Sequence, residues 1–150
     1  MSTIVVGVGN PVLGDDGVGI HVVNTLKDLP DGVVLEEAPT GGMNLLDLIA
    51  GYDDAILVDA VIVNDMKIGE VCVLDARKMA SVHSSNPHEM SFTEALDLSV
   101  KLGNDQIPEN IFLVGINIEP VSEFSEELSD TVEKAVPSAR EKVFEILKKR

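Results

Sequence analysis

Two adjacent aspartates, Asp15 and Asp16, sit near the end of GVGNPVLGDDGVG, residues 7–19, directly after the apolar run TIVV. Acids beside a glycine-rich turn can cap the helix that follows or ligate a cation, and spacing alone leaves both roles open. Phosphate binding is a third role of such turns, and the residues argue against it. GVGNPV supplies only the first two glycines of the G-x-G-x-x-G fingerprint, and no G-x-x-x-x-G-K-[ST] occurs. Two acids in front of a helix would also repel a pyrophosphate where the fingerprint attracts one.

Asp59 ends the apolar run AILV. A carboxylate there is costly unless it is paired or coordinated, because desolvating a charge costs several kcal/mol. It either accepts hydrogen bonds from backbone amides of the following loop or ligates. His88 stands in NPHEMSF, where position 92 is Phe92, so the second histidine of H-E-x-x-H is missing and zincin chemistry is excluded. His88 is then either a surface side chain or a single imidazole ligand. His83 is an equally plausible bystander, and His21, on the first expected helix, is the weakest ligand candidate. Nucleophile chemistry finds little support: no G-x-S-x-G elbow is present, and Cys72 falls in an expected strand, where a buried, inert thiol is the simpler reading. Two carboxylates and one imidazole remain, a mixed oxygen and nitrogen set suited to a divalent first-row metal such as nickel or zinc with open positions for substrate.

These side chains are far apart in sequence, so the elements between them must bring them together. β-Branched apolar runs bounded by turn formers predict strands over Thr3 to Val8, Val33 to Ala38, Ala55 to Val61, Lys67 to Leu74 and Asn110 to Ile116. Helical spacing marks Val18 to Leu29, Met43 to Ala50, Ser91 to Leu102 and a long amphipathic stretch from Ser125 to Lys149, which Pro137 should kink or restart. This alternation predicts an α/β fold of three layers, with helices on both faces of a mostly parallel, twisted sheet of about five strands. VIVNDMKIGEVCVLD reads as a hairpin that adds one antiparallel strand. In such sheets ligands bind beyond the carboxyl ends of the strands. The loops GNPVLGDDG and SVHSSNPHE and the end of AILVDA should therefore meet there.

At 150 residues the chain is expected to be one domain, residues 1–150. Eleven Lys and Arg against twenty-six Asp and Glu give a net charge of −15, which opposes binding to nucleic acid or to anionic membrane surfaces. No run approaches the roughly 20 apolar residues that cross a bilayer. The start MSTIVV has no signal-peptide character, and a lone cysteine fits a reducing compartment, so a cytoplasmic location is expected.

The stretches GVGNPVLGDDGVGIHVV, PTGGMNLLDLI, AILVDAV and HEMSFTEALDL, supported by LVGINIEP and LSDTVEKAV, resemble the hydrogenase maturation endopeptidases in order along nearly the whole chain. These enzymes trim a C-terminal extension from the large-subunit precursor of nickel-iron hydrogenases. The resemblance implies that Asp16, Asp59 and His88 are the metal-recognising and catalytic residues, with Asp16 where other members often have Glu. It implies that Thr40, Gly41 and Gly42 form a substrate-binding loop near the site; Pro39 stands where many members have Gly, and proline fixes φ and removes an amide donor. It further implies that nickel arrives inside the precursor as a checkpoint for cleavage, with zinc or another divalent metal able to occupy the isolated protein. Either the metal serves as Lewis acid or Asp16 or Asp59 activates a water, without a covalent intermediate. A monomer is the default for an enzyme that docks transiently on its client. The rival reading from another class is a non-enzymatic metal-binding assembly factor or chaperone that uses the same three side chains for binding alone.

Overall fold

The computed structural model describes residues 2–39, 43–76, 83–84 and 92–149. Six strands form one sheet: β1 (Thr3–Val8), β2 (Val33–Ala38), β3 (Asp54–Ile62), β4 (Val71–Asp75), β5 (His83–Ser84) and β6 (Asn110–Asn117). The main path runs β2-β1-β3-β6-β4, with the short β5 paired to β3. Pairs β1–β2, β1–β3 and β3–β6 are parallel, whereas β4–β6 and β3–β5 are antiparallel.

The central strands are apolar on both sides, as a sheet covered on both faces requires. All of β1 is buried, and in β3 Ala55, Ile56 and Val58 are fully excluded from solvent. On one face, α1 (Val18–Asn24) and α5 (Val136–Lys148) pack Val18, Val22, Ala139 and Val143 against Val5, Ile56 and Val114. On the other, α2 (Met43–Ile49) and α3 (Phe92–Lys101) pack Leu45, Ile49, Ala95 and Leu96 against Ile4, Val6, Leu57 and Leu113. Each Val, Leu or Ile among them contributes about 1.5–3 kcal/mol on removal from water before entropy is counted. Three layers result, as the βαβ alternation predicts.

Three local expectations change. First, the antiparallel strand is present, but VIVNDMKIGEVCVLD does not form a hairpin: β4 pairs with β6, and β6 lies between it and β3. The cause is Asn117 at the end of β6. Its Oδ1 accepts from Val63 N–H at 2.8 Å, and its Nδ2 donates to Val63 O at 3.2 Å and Met66 O at 2.9 Å. Its backbone bonds Gly69 and Glu70. These contacts carry the connection over the end of β6 and deliver β4 to its far side. Residues 67–70 are spent on that turn, with Gly69 at φ +85°, so the strand begins at Val71 and not at Lys67.

Second, α1 stops at Asn24 and not near Leu29. Thr25 Oγ1 donates to Val22 O at 2.7 Å, taking a carbonyl that the helix would otherwise use, and Asp28 lies at φ +56°. Third, the long C-terminal helix is two helices, α4 (Asp130–Glu133) and α5, with Pro137 in the first turn of the second. Proline at that position loses no helical hydrogen bond, so it restarts the helix there. Residues 125–129 are not helical: Ser125 instead forms a parallel bridge with Leu13.

Candidate active site

The strand order reverses direction between β1 and β3. The chain leaving β1 goes to β2 on one side, and the chain leaving β3 goes on to strands on the other. Helices of the two connections lie on opposite faces, so the carboxyl ends of β1 and β3 flank the crevice position where sheets of this kind usually bind ligands. Asp16 follows β1, and Asp59 lies near the end of β3.

Asp16 sits in a 3-10 turn, Gly14–Gly17, that leads into α1, and it is 6% exposed. Its Oδ2 accepts the backbone N–H of Asn10 at 2.8 Å, which closes the loop over residues 10–16. Neither Asp15 nor Asp16 caps a helix: the first residues of the 3-10 turn and of α1 receive no side-chain cap bond. Asp15 reaches 114 positions along the chain, accepting from Ser129 N–H at 2.7 Å and Ser129 Oγ at 2.8 Å.

Two glycines make this geometry possible. Gly9, at φ +139°, presses against the backbone carbonyl of Asp16, where an added Cβ would collide. A Cβ on Gly19 would collide with Val58 O and lie 2.7 Å from Val8 O. The start of α1 therefore rests directly on the carboxyl ends of both strands. Val58 precedes Asp59, and Gly19 follows Asp16 by three residues, so this contact carries the two acids to the same edge.

Asp59 is half-buried and pairs with Gly115 across β3–β6. By strand alternation it shares a face with Leu57 and Val61, which pack with α2 and α3. His88, Thr40, Gly41 and Gly42 lie outside the described residues. His83 belongs to β5, opposite Ile62. His21 lies away from the crevice and lines a cleft on the outer flank of α1 with Glu126 and Asp130. Among the described residues no group of three or more His, Cys, Asp or Glu is arranged to hold a metal ion. Burial pushes the Cys72 thiol above its ordinary value, outweighing the hydrogen bond from Gly115, so little nucleophilic thiolate forms near neutral pH.

The tie between Asp15 and Ser129 and the bracing of Asn117 escaped sequence reasoning. Asn117 left a trace, as the lone amide ending the apolar run IFLVGI. Asp15 left none, since its partner lies on a distant loop.

The family model for HycI, hydrogenase maturation protease, matches residues 20–146. Hydrogenase 2 maturation protease of Escherichia coli (strain K12) is 29% identical, over 99% of this chain and 92% of the relative. Protein FrxA of Pyrococcus furiosus is 31% identical, over 91% of this chain and 98% of the relative. The solved structure of the hydrogenase maturating endopeptidase HybD from Escherichia coli superposes with a TM-score of 0.83, at 29% identity over 99% of this chain and 93% of that one. With the match spanning most of its length, the chain belongs to the hydrogenase maturation protease family.

Proposed function

We propose that this chain is an endopeptidase that removes the C-terminal extension of a nickel-iron hydrogenase large-subunit precursor. Asp16, Asp59 and His88 recognise the metal and support hydrolysis, and Thr40, Gly41 and Gly42 contact the substrate peptide. The observation that carries the reading is the close packing of Gly19 on Val58 at the point where the strand order reverses, which brings an acid-bearing turn to the strand end that holds a second acid.

The direction of β5 supports adding His88. Its antiparallel pairing of His83 with Ile62 and Ser84 with Val61 points the chain back along β3 toward Asp59. His88 follows Ser84 by four positions, so it lies no more than about 14 Å from it along the chain. A carboxylate pair with an imidazole suits a divalent first-row ion, and nickel held in the client would be read as part of the substrate. The residues of the chain would then orient the peptide beside the crevice, and a carboxylate would withdraw a proton from the attacking water. No helix among the described residues is long and apolar enough to cross a membrane. The relatives are hydrogenase maturation proteases, and a cytoplasmic, monomeric enzyme is the form we propose.

The test is mass spectrometry of a nickel-loaded precursor incubated with purified protein. Asp16→Ala, Asp59→Ala and His88→Ala should each leave the tail uncut while retaining the native circular dichroism spectrum. His21→Ala and His83→Ala should process it normally; full loss at either would mean that the wrong histidine was assigned. A wild-type protein that binds the precursor yet never cuts it would establish an assembly factor instead.

A further inference from the structure

Beside the crevice lies a second surface with a composition of its own. Residues 119–130 cross the outer side of the Asp16 turn and are fastened to it. Ser125 N–H donates to Val12 O at 2.9 Å, and Gly14 N–H donates to Ser125 O at 2.7 Å. The carboxylate of Asp15 holds Ser129 through two further bonds. The parallel bridge of Leu13 with Ser125 sets Val12 opposite Phe124. Both are left in water: Phe124 is 82% exposed and Val12 43%. A large apolar side chain held in water by a firmly bonded segment, next to a candidate active site, fits a contact made only when a partner arrives.

The charge of the segment indicates the partner's chemistry. Glu119, Glu123, Glu126, Glu127 and Asp130 are all exposed, and residues 119–130 contain no Lys or Arg. Glu126, Glu127 and Asp130, with Glu133, wall an open cleft of about 660 Å³ against the flank of α1, where Leu128 contributes apolar lining. Among the described residues no Lys or Arg lines it, and His21 is its one imidazole. Such walls repel phosphate backbones and anionic lipid and attract Lys and Arg.

We infer that the 119–130 strap and its cleft dock a basic, apolar-anchored segment of the client polypeptide, with Val12 and Phe124 as the apolar contact and the acids of the cleft receiving its cations. The inference rests on the endopeptidase reading and deepens it. Docking here determines which precursor reaches Asp16, without any strap residue taking part in hydrolysis.

The test measures the affinity of purified large-subunit precursor for wild-type protein, Phe124→Ser, and the triple variant Glu126→Gln, Glu127→Gln, Asp130→Asn, at low and moderate salt, with cleavage followed in parallel. Both variants alter exposed side chains, and their thermal midpoints check folding. Each should raise Kd and KM about fivefold or more with kcat within about twofold. Wild-type affinity should fall with salt, and the triple variant should lose most of that dependence. Variants that bind and are saturated as wild type is, or a wild-type affinity indifferent to salt, would overturn the docking surface while leaving the endopeptidase intact. Salt-dependent binding that the variants weaken, with no cutting by wild type, would uphold docking and remove the endopeptidase. Wild-type protein that does not hold the precursor at all overturns docking.

Discussion

Strand β3 carries an aspartate at each end of its apolar run, and the two live differently. Asp54, at the amino end, is 2% exposed; its Oδ1 accepts from Asn110 Nδ2 at 2.8 Å, while its Oδ2 is buried with no hydrogen-bond partner among the described residues. Asp59, five residues on, is half-buried at the carboxyl end, beside the turn that bears Asp16. Burial alone would single out Asp54 as the more unusual group. The strand order points elsewhere, because at the carboxyl edge two connections part on opposite faces, which is where sheets of this kind usually bind ligands. Position relative to the strand order, rather than strength of burial, is what marks Asp59 as the candidate reactive acid and Asp54 as a structural one.

The sharpest way to break this contrast is to remove each charge in turn. Asp59→Asn should lower the rate of precursor trimming by about a hundredfold or more, the scale expected when a positioned proton acceptor is lost. Asp54→Asn should leave the rate within about twofold. Equal losses measured by timed mass spectrometry would show that the two ends of β3 are not functionally distinct.

Next in size is the contact that builds the carboxyl edge. Gly19→Ala places a methyl group against Val58 O and Val8 O, both backbone atoms fixed in the sheet. Relief requires α1 to lift from the strands, and about 3 kcal/mol or more of stability should be lost, read as a lower denaturant midpoint. Wild-type stability in this variant would mean that the turn adjusts freely and does not fix Asp16 against β3.

Asn117→Ala comes third. It removes the amide that gathers Val63, Met66 and Lys67 over the end of β6, leaving a buried N–H and several carbonyls in search of partners. About 2–3 kcal/mol should be lost. Hydrogen exchange should quicken at Val63 and along β4, the strand that this loop delivers, while β1 keeps its protection. Uniform quickening across the sheet would refute a local tether.

The same residues explain what the sequence made legible. β-Branched runs announced β1, β3 and β6, because buried parallel strands need apolar side chains on both faces, and VVLEEA announced β2 as the more exposed edge strand. The pairing of β4 did not follow, since it depends on one amide meeting backbone groups about fifty residues away. Residues 125–129 carried a helical pattern, yet their backbone went to the Asp16 turn, where tertiary hydrogen bonds outweighed propensity. The glycine-rich setting marked Asp15 and Asp16 as a pair, and only the family resemblance chose Asp16; its bond to Asn10 could not be read, because GDDG does not reveal which acid turns inward.

The smallest expected effect lies at the quiet end of β3 and has the opposite sign. In Asp54→Asn the amide oxygen can retain the bond from Asn110, and the substitution removes a charge whose second oxygen is buried without a donor. A buried, half-satisfied carboxylate costs more than a neutral amide in the same place, so about 1 kcal/mol of stability should be gained near neutral pH. The amide Nδ2 must itself find an acceptor in the space Oδ2 occupies, which keeps the gain small. Parallel denaturation of Asp54→Asn and Asp54→Ala tests this account: the first should exceed wild type, and the second should fall below it, because alanine strips Asn110 Nδ2 of its acceptor and opens a cavity. A destabilised Asp54→Asn would show that the charge at the amino edge is itself a structural requirement.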